Sequence, residues 1–246
     1  MAFVAVNSHA LARELWPSGI GKLQQDKQLT LQNLPASRIV PKDSDDLLRW
    51  LFVQLVERGR RAHVFMHPSV DGAKGSPEVV LRLQGVIEDA NMGLYGDWDQ
   101  TETNAKKAMQ RLVLGSGGCR EAFAPQLKAL DDIRQTVNVD TGASVVTEDE
   151  DPSGLLDTVA DKWRITTRTK CGYENGEDGI ESLNGLSLRP GDMVDVSVTV
   201  VGVIVDGQGG KRCDVVFEPK TVVRLASGAA VQDAFEAASR EAAIAR

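Results

Sequence analysis

The chain has 246 residues, 42% apolar and 26% charged, which suits a globular fold long enough to bury a sizeable core. Its net charge of −7 argues against a surface that is basic throughout, as nucleic-acid-coating proteins often are. The charge is uneven, however. Residues 1–137 carry 17 Lys+Arg against 16 Asp+Glu, and residues 138–246 carry 11 against 19, yet residues 162–225 balance at 9 and 9.

Local basic faces therefore survive, and the acidic excess lies before residue 162 and after residue 225. Aromatic residues make up only 5%, so the core must be built from Val, Leu, Ile and Ala. Cys119, Cys171 and Cys213 are odd in number and show no CxxC spacing, which fits free thiols in a reducing intracellular compartment, cytoplasm or nucleus. Polar residues interrupt the opening MAFVAVNSHALARELWP early, and no later run approaches a membrane span, so we expect neither a leader nor a membrane anchor.

In chain order, residues 1–43 are punctuated by Pro17, Pro35 and Pro41, and Leu29, Leu31 and Leu34 alternate as in a short strand. The pattern predicts an arm that packs elsewhere. Ser44–Arg61 reads as a helix, capped at Ser44 with Asp45 and Asp46 in its first turn. Leu47, Leu48, Leu51, Phe52, Leu55 and Val56 would share its apolar face, and Arg58, Arg60 and Arg61 would sit at its C-terminal end. Residues 62–67 and 78–89 read as strands, with Gly85 a candidate bulge. Residues 99–114 and 120–136 read as helices joined by Gly115-Ser-Gly-Gly118. Residues 138–154 contain the run Glu148-Asp-Glu-Asp151 and read as an acidic linker. The expected division is a mixed α/β domain over 1–137, that linker, and a β domain with a C-terminal helix over 155–246.

The second half is richer in strand signals. Trp163–Lys170 alternates, with Arg164, Thr166, Arg168 and Lys170 on one face. Residues 171–185 read as a Gly- and Glu-rich loop. Val194, Val196, Val198 and Val200 then form one face of a half-buried strand, and Gly202 marks a bend where the apolar face changes. DGQGGK reverses the chain, and Pro219 separates two further runs. Residues 231–245 give a helix with the narrow stripe Val231, Ala234, Phe235, Ala238 and Ala242.

Four strands with one bent member suggest a small barrel of the OB type. Residues 188–225 resemble the later strands of single-stranded-DNA-binding OB proteins. The shared features are Leu188 and Gly191 at the opening, the valine strand, Gly210 and Arg212 at the turn, and Val222 and Leu225 at the close. The resemblance implies an α+β chain: an N-terminal α/β region, then a small antiparallel OB-like β-barrel with a C-terminal helix. It also implies single-stranded nucleic acid as ligand. Such proteins stack bases on aromatics, and here Trp163, Tyr173 and Phe217 are the available rings.

The candidate contacts are Arg164, Arg168 and Lys170 on one strand, Lys211 and Arg212 at the hairpin, and Trp163 or Tyr173 for stacking. The same cations also fit an ordinary solvated strand face paired with nearby carboxylates. Other motifs point less far. His63 and His67, on a strand, stand about 13 Å apart at Cα, too far to share a metal. The glycine runs at 72–76 and 115–118 lack the Lys-Ser/Thr of a phosphate loop. No hydrolase, kinase, dinucleotide or zinc pattern is present, so no cofactor is expected and an enzyme has no support from the sequence. Two alternatives stay open: a self-assembling or protein-interaction protein using strand edges and the C-terminal helix, and an enzyme using Cys119 as nucleophile.

Overall fold

The computed structural model describes the backbone of residues 1–23, 26, 28–56, 60–73, 75–93, 110–142, 163–166, 170–175, 179–207 and 210–244. Side chains are described for these residues except 163–166, 170–175, 179, 205–207 and 210. The chain is α+β: a curled half-barrel sheet built by strands from both halves of the chain, with a C-terminal helix after it.

The first half departs from the periodicity reading. The side chain of Asp43, one residue earlier than expected, caps helix α1 (Ser44–Trp50) by accepting from the N–H groups of Asp45 and Asp46. The helix expected to run to Arg61 stops at Trp50. Leu51–Val56 is strand β3, and it pairs antiparallel with β4 (Arg61–Met66). The run LLRWLFVQLV satisfies a 3.6-residue and a 2-residue period at once, and pairing with the alternating run Arg61–Met66 decides for the strand.

β5 (Val80–Asn91) forms close to expectation, but its register shift falls between Ile87 and Asp89 rather than at Gly85. Arg111–Gly115 is strand β6 and not a helix end, and Leu112 is buried from that strand. The rest of that expected helix, 99–109, lies outside the described residues. The glycine run after β6 therefore joins a strand to a helix. Gly117 and Gly118 both take positive φ, +52° and +99°, a geometry that strongly favours glycine. Helix α2 (Arg120–Thr141) follows, carries Pro125 within it, and runs beyond Thr136 to a left-handed cap at Gly142. It buries Phe123, Leu130, Ile133 and Val137.

Three short strands follow. β7 (Trp163–Thr166) pairs with β6, whereas Lys170, the other end of the expected strand 163–170, opens β8 (Lys170–Asn175) on other partners, and residues 167–169 lie outside the described residues. Residues 179–182 form β9, which makes a hairpin with β8 where a loop was expected. β10 (Met193–Gly207) and β11 (Gly210–Ala226) are the longest strands, and α3 (Gly228–Ile244) closes the described chain. Pro219 does not split β11. The register slips between Ser197 and Val198, so that Val198 faces Pro219 and Ser197 faces Thr221, and Lys220 is the extra residue.

β10 organises the sheet. Over Met193–Thr199 it pairs with β5, and over Val201–Val203 it pairs with β4 on the same side. Gly202 lies where this partner changes, and a Cβ there would stand 2.7 Å from the Cys213 Sγ and 3.0 Å from the Ala62 Cβ. The bend expected at Gly202 is thus a change of partner at a close approach of three strands. β5 changes partner as well, from β1 (Ala2–Val4) to β6. Strands from both sides of residues 138–154 join one sheet, and their buried side chains form one core cluster that includes Leu81, Leu83, Ile133, Val194 and Val198.

β10 is covered on both faces where a half-buried strand was expected. Val194, Val196, Val198 and Val200 are fully buried, but so are Met193, Asp195 and Thr199. The N-terminal segment accounts for the second face. Its β1 is an internal parallel strand between β5 and β2 (Ile39–Val40), and Leu31–Asn33 is a 3-10 turn rather than a strand. Arg13 and Asp26 from this segment meet Arg82 and Asp195 from the sheet. Arg82 donates to Asp195 at 2.5 Å and to Asp26 at 2.9 Å, and Gln84 donates to Asp195 at 2.7 Å. Two buried cations thus face two buried carboxylates, the condition for keeping charge inside a core.

Candidate nucleic-acid interface

The β3–β4 hairpin has two unlike faces. Leu51, Ala62, Val64 and Met66 are buried in the core, and Val53 packs against it. Because side chains alternate, Phe52, Gln54 and Val56 point the other way, directly opposite Phe65, His63 and Arg61. On this outward face the Phe52 and Phe65 rings stack with centroids 5.8 Å apart and planes 27° apart. His67 stands edge-on to Phe52 at 6.2 Å and is fixed by a 2.5 Å hydrogen bond with the Ser69 hydroxyl. Both phenylalanines are half-buried, and neither belongs to the core cluster nor packs against it.

The same face continues onto β10 and β11. His63 lies opposite Val201, which lies opposite Val216; Arg61 lies opposite Val203, then Asp214; Arg212 lies opposite Val205. Charges on this surface are interleaved. Arg61 pairs with Glu218 at 3.5 Å, His63 with Glu78 at 3.6 Å, and Lys220 with Glu78 at 3.9 Å. These pairs are half-exposed and worth little individually, so a phosphate can compete for the cations.

The two hairpin ends meet here. The Ile204 N–H donates to the Arg60 carbonyl at 2.9 Å, and Lys211 and Arg212, both exposed, follow the β10–β11 reversal. Arg60, Arg61, Lys211 and Arg212 therefore sit at one end of the sheet. Sequence reasoning placed the first two at a helix terminus and did not connect them with the others. Arg58 lies outside the described residues.

The remaining residues singled out from the sequence are spread more widely. Lys170 lies opposite Thr221, nine residues along β11 from Arg212, or about 30 Å at strand rise. Tyr173 is opposite Arg224 and Glu181. Trp163 and Arg164 are opposite Leu114 and Val113 on the other flank of the sheet. Arg168 lies outside the described residues. Phe217, the third ring considered, is buried with Arg134 over its face at 5.2 Å. Phe52, Phe65 and His67 were missed because a helical reading put Phe52 in the core. The signal was present, for residues 52 and 65, 54 and 63, and 56 and 61 are symmetric in sequence about the stretch Glu-Arg-Gly-Arg.

The alternative chemistry finds less support. Cys119 is the residue before α2, and its thiol donates to the Leu15 carbonyl at 3.5 Å. Burial pushes this thiol up, and it does the same to Cys213, the opposite of what a nucleophile needs. Among the described residues no group of three His, Cys, Asp or Glu is placed to hold a metal, and no helix is long and apolar enough to cross a membrane.

No family model and no curated protein matches the chain. Among solved structures it is similar to the single-stranded DNA-binding protein from bacteriophage Enc34 in complex with ssDNA, at 13% identity and a TM-score of 0.34, over 72% of this chain and 96% of that one. A C-terminal truncation of the Enc34 protein gives 11% identity and a TM-score of 0.36, over 72% and 95%.

Proposed function

We propose that the chain is a non-enzymatic binding protein for single-stranded nucleic acid, and that the outward face of β3–β4 is its contact surface. The observation that carries this is the stacked Phe52–Phe65 pair on a sheet face outside the core, with Arg60, Arg61, Lys211 and Arg212 at its end. An unpaired base has a bare π-face to lay on such rings, while the guanidinium and ammonium groups meet the backbone. A duplex offers its phosphates but keeps its base faces stacked, so rings on a strand surface favour single strands. Glu78 and Glu218 hold the local cations in weak pairs and keep the bare surface close to neutral. Arg164, Arg168 and Lys170, with Trp163 and Tyr173, are proposed to extend the strand's path beyond this face.

The test is fluorescence anisotropy with a labelled oligothymidylate across a salt series. The wild type should bind, and its affinity should fall as salt rises, with a log–log slope reduced by about 1.4, roughly 0.7 for each lost phosphate contact, on replacing both Lys211 and Arg212 by alanine. Phe52→Ala with Phe65→Ala should weaken binding by roughly 10- to 100-fold, the range for losing a stacked base, while the slope stays unchanged. Absence of binding at low salt, or a double alanine variant that binds as the wild type does, would remove the proposal.

A further inference from the structure

We propose that Lys220 is a further phosphate contact of the single-strand face described above, and that Glu78 occupies its ammonium when no strand is bound. This rests on the proposed single-strand site and adds to it a cation that neither hairpin end supplies. The observation is a bulge that turns one lysine onto the face of the aromatic pair.

β11 runs antiparallel to β10 with Glu218 opposite Thr199, Pro219 opposite Val198 and Thr221 opposite Ser197, so Lys220 is the extra residue. Unbroken alternation would put Thr221 on the face opposite to Glu218. Ser197 and Thr199 share a face of β10, however, and the slip carries Thr221 back to the side of Glu218. That side is the outward one, because Val201, two residues on from Thr199, lies opposite His63. Bulges re-aim side chains in this way, and they are over-represented beside functional sites. Pro219 suits the slip, since it has no N–H to leave unpaired there.

The re-aimed side chain reaches a carboxylate at the aromatic pair. Lys220 Nζ stands 3.9 Å from Glu78 Oε2, and the other oxygen, Oε1, stands 3.6 Å from His63 Nδ1. Glu78 is bridged to Phe65 across the sheet, and His63 lies two residues before Phe65 on the same face of β4. One carboxylate therefore sits beside the rings with a lysine and a histidine at its two oxygens. Lys220 lies eight residues along β11 from Arg212, about 26 Å at strand rise, so it carries the cations of this face well beyond the hairpin ends.

The arrangement fits a phosphodiester better than a permanent ion pair. The Lys220 side chain is 52% exposed and that of Glu78 31%, and 3.9 Å is long for an ion pair, so the attraction is weak. A phosphate brings the same sign of charge as the carboxylate, and it can replace Glu78 at Lys220 while a base lies on Phe65. Glu78 then turns to solvent.

The test is titration of the full chain with labelled oligothymidylate, followed by fluorescence anisotropy. Lys220→Gln should weaken binding about fivefold at 0.1 M salt and reduce the log–log slope by roughly 0.7, the effect of one lost phosphate contact. Lys220→Arg, which keeps the charge, should bind nearly as the wild type does. Glu78→Gln should strengthen binding in the wild-type background, and by a clearly smaller factor in the Lys220→Gln background, where no ammonium is left for it to release. Phe52→Ala with Phe65→Ala, measured alongside, separates this contact from the site itself. If the phenylalanine variant loses affinity while Lys220→Gln keeps the wild-type affinity and slope, the aromatic face stands and the Lys220 contact is overturned. If neither differs from the wild type, both readings fall. Equal gains from Glu78→Gln in the two backgrounds overturn the place of Glu78 at Lys220.

Discussion

Arg82 and Asp195 show what the interior demands of single residues. Arg82 is 8% exposed and Asp195 2% exposed, and neither keeps its charge buried without the other. Burial alone would pull the Arg82 pKa down, but Asp195 and Asp26 outweigh it and hold it above the ordinary arginine value. A raised basic pKa gives stability that is fully present below the unfolded value and lost only as pH climbs past the folded one. For arginine that window lies beyond any working pH, so Arg82 itself adds no pH dependence. Removing its partner is another matter. Asp195→Ala leaves Arg82 and Gln84 each short of an acceptor and should cost about 3–5 kcal/mol in urea unfolding. Asp195→Asn keeps an acceptor for one of them and should cost visibly less. Equal losses for the two variants would show that the charge of the carboxylate matters there and not the shape of its side chain.

At the scale of elements, the meeting of β4, β10 and β11 sets the curl. Gly202 has no room for a side chain, because Cys213 and Ala62 close on it from either side. Gly202→Ala should therefore destabilise by roughly 1–3 kcal/mol, the usual cost of overpacking. Cys213→Ala removes the nearer atom, so the double variant should lose less than the sum of the two singles. An additive pair would place the strain at Ala62 instead. The long valine strand, the C-terminal helix and the change at Gly202 were legible because alternation and glycine placement are local signals. The fate of Leu51–Val56 was not, since its apolar residues fit a helix face as well as a strand, and only its pairing with Arg61–Met66 separates the two. The candidate site was hidden by the same ambiguity. Lys211 and Arg212 could be read from the turn, but Phe52 and Phe65 become neighbours only when the hairpin closes. The burial of Asp195 was equally out of reach, for it depends on an arm more than 150 residues earlier in the chain.

For the molecule as a whole, the question is whether residues on either side of the acidic segment stand alone. β5 pairs with β10 over seven residues, from Met193 opposite Val86 to Thr199 opposite Val80. β1 is in turn hydrogen-bonded to β5, and α2 shares a core cluster with the valines of β10. Separating the halves would strip β5 of a partner strand and expose Leu81, Leu83 and Ile87 together with Val194, Val196 and Val198, all nearly or fully buried. Each of these side chains contributes about 1.5–3 kcal/mol when withdrawn from water, so their combined exposure is comparable to the whole stability of an ordinary domain. The expected behaviour is a single cooperative transition on heating, with calorimetric and van't Hoff enthalpies that agree. Circular dichroism should follow the same curve as the fluorescence of a variant that keeps only Trp16 and Trp50 of the four tryptophans, both of which report on the first half. Cutting the chain within residues 143–162 with a protease should leave two fragments that stay together under native conditions and unfold together. Two resolved transitions, or fragments that separate without denaturant and keep their structure, would instead show that the pairing of β5 with β10 contributes little to the fold.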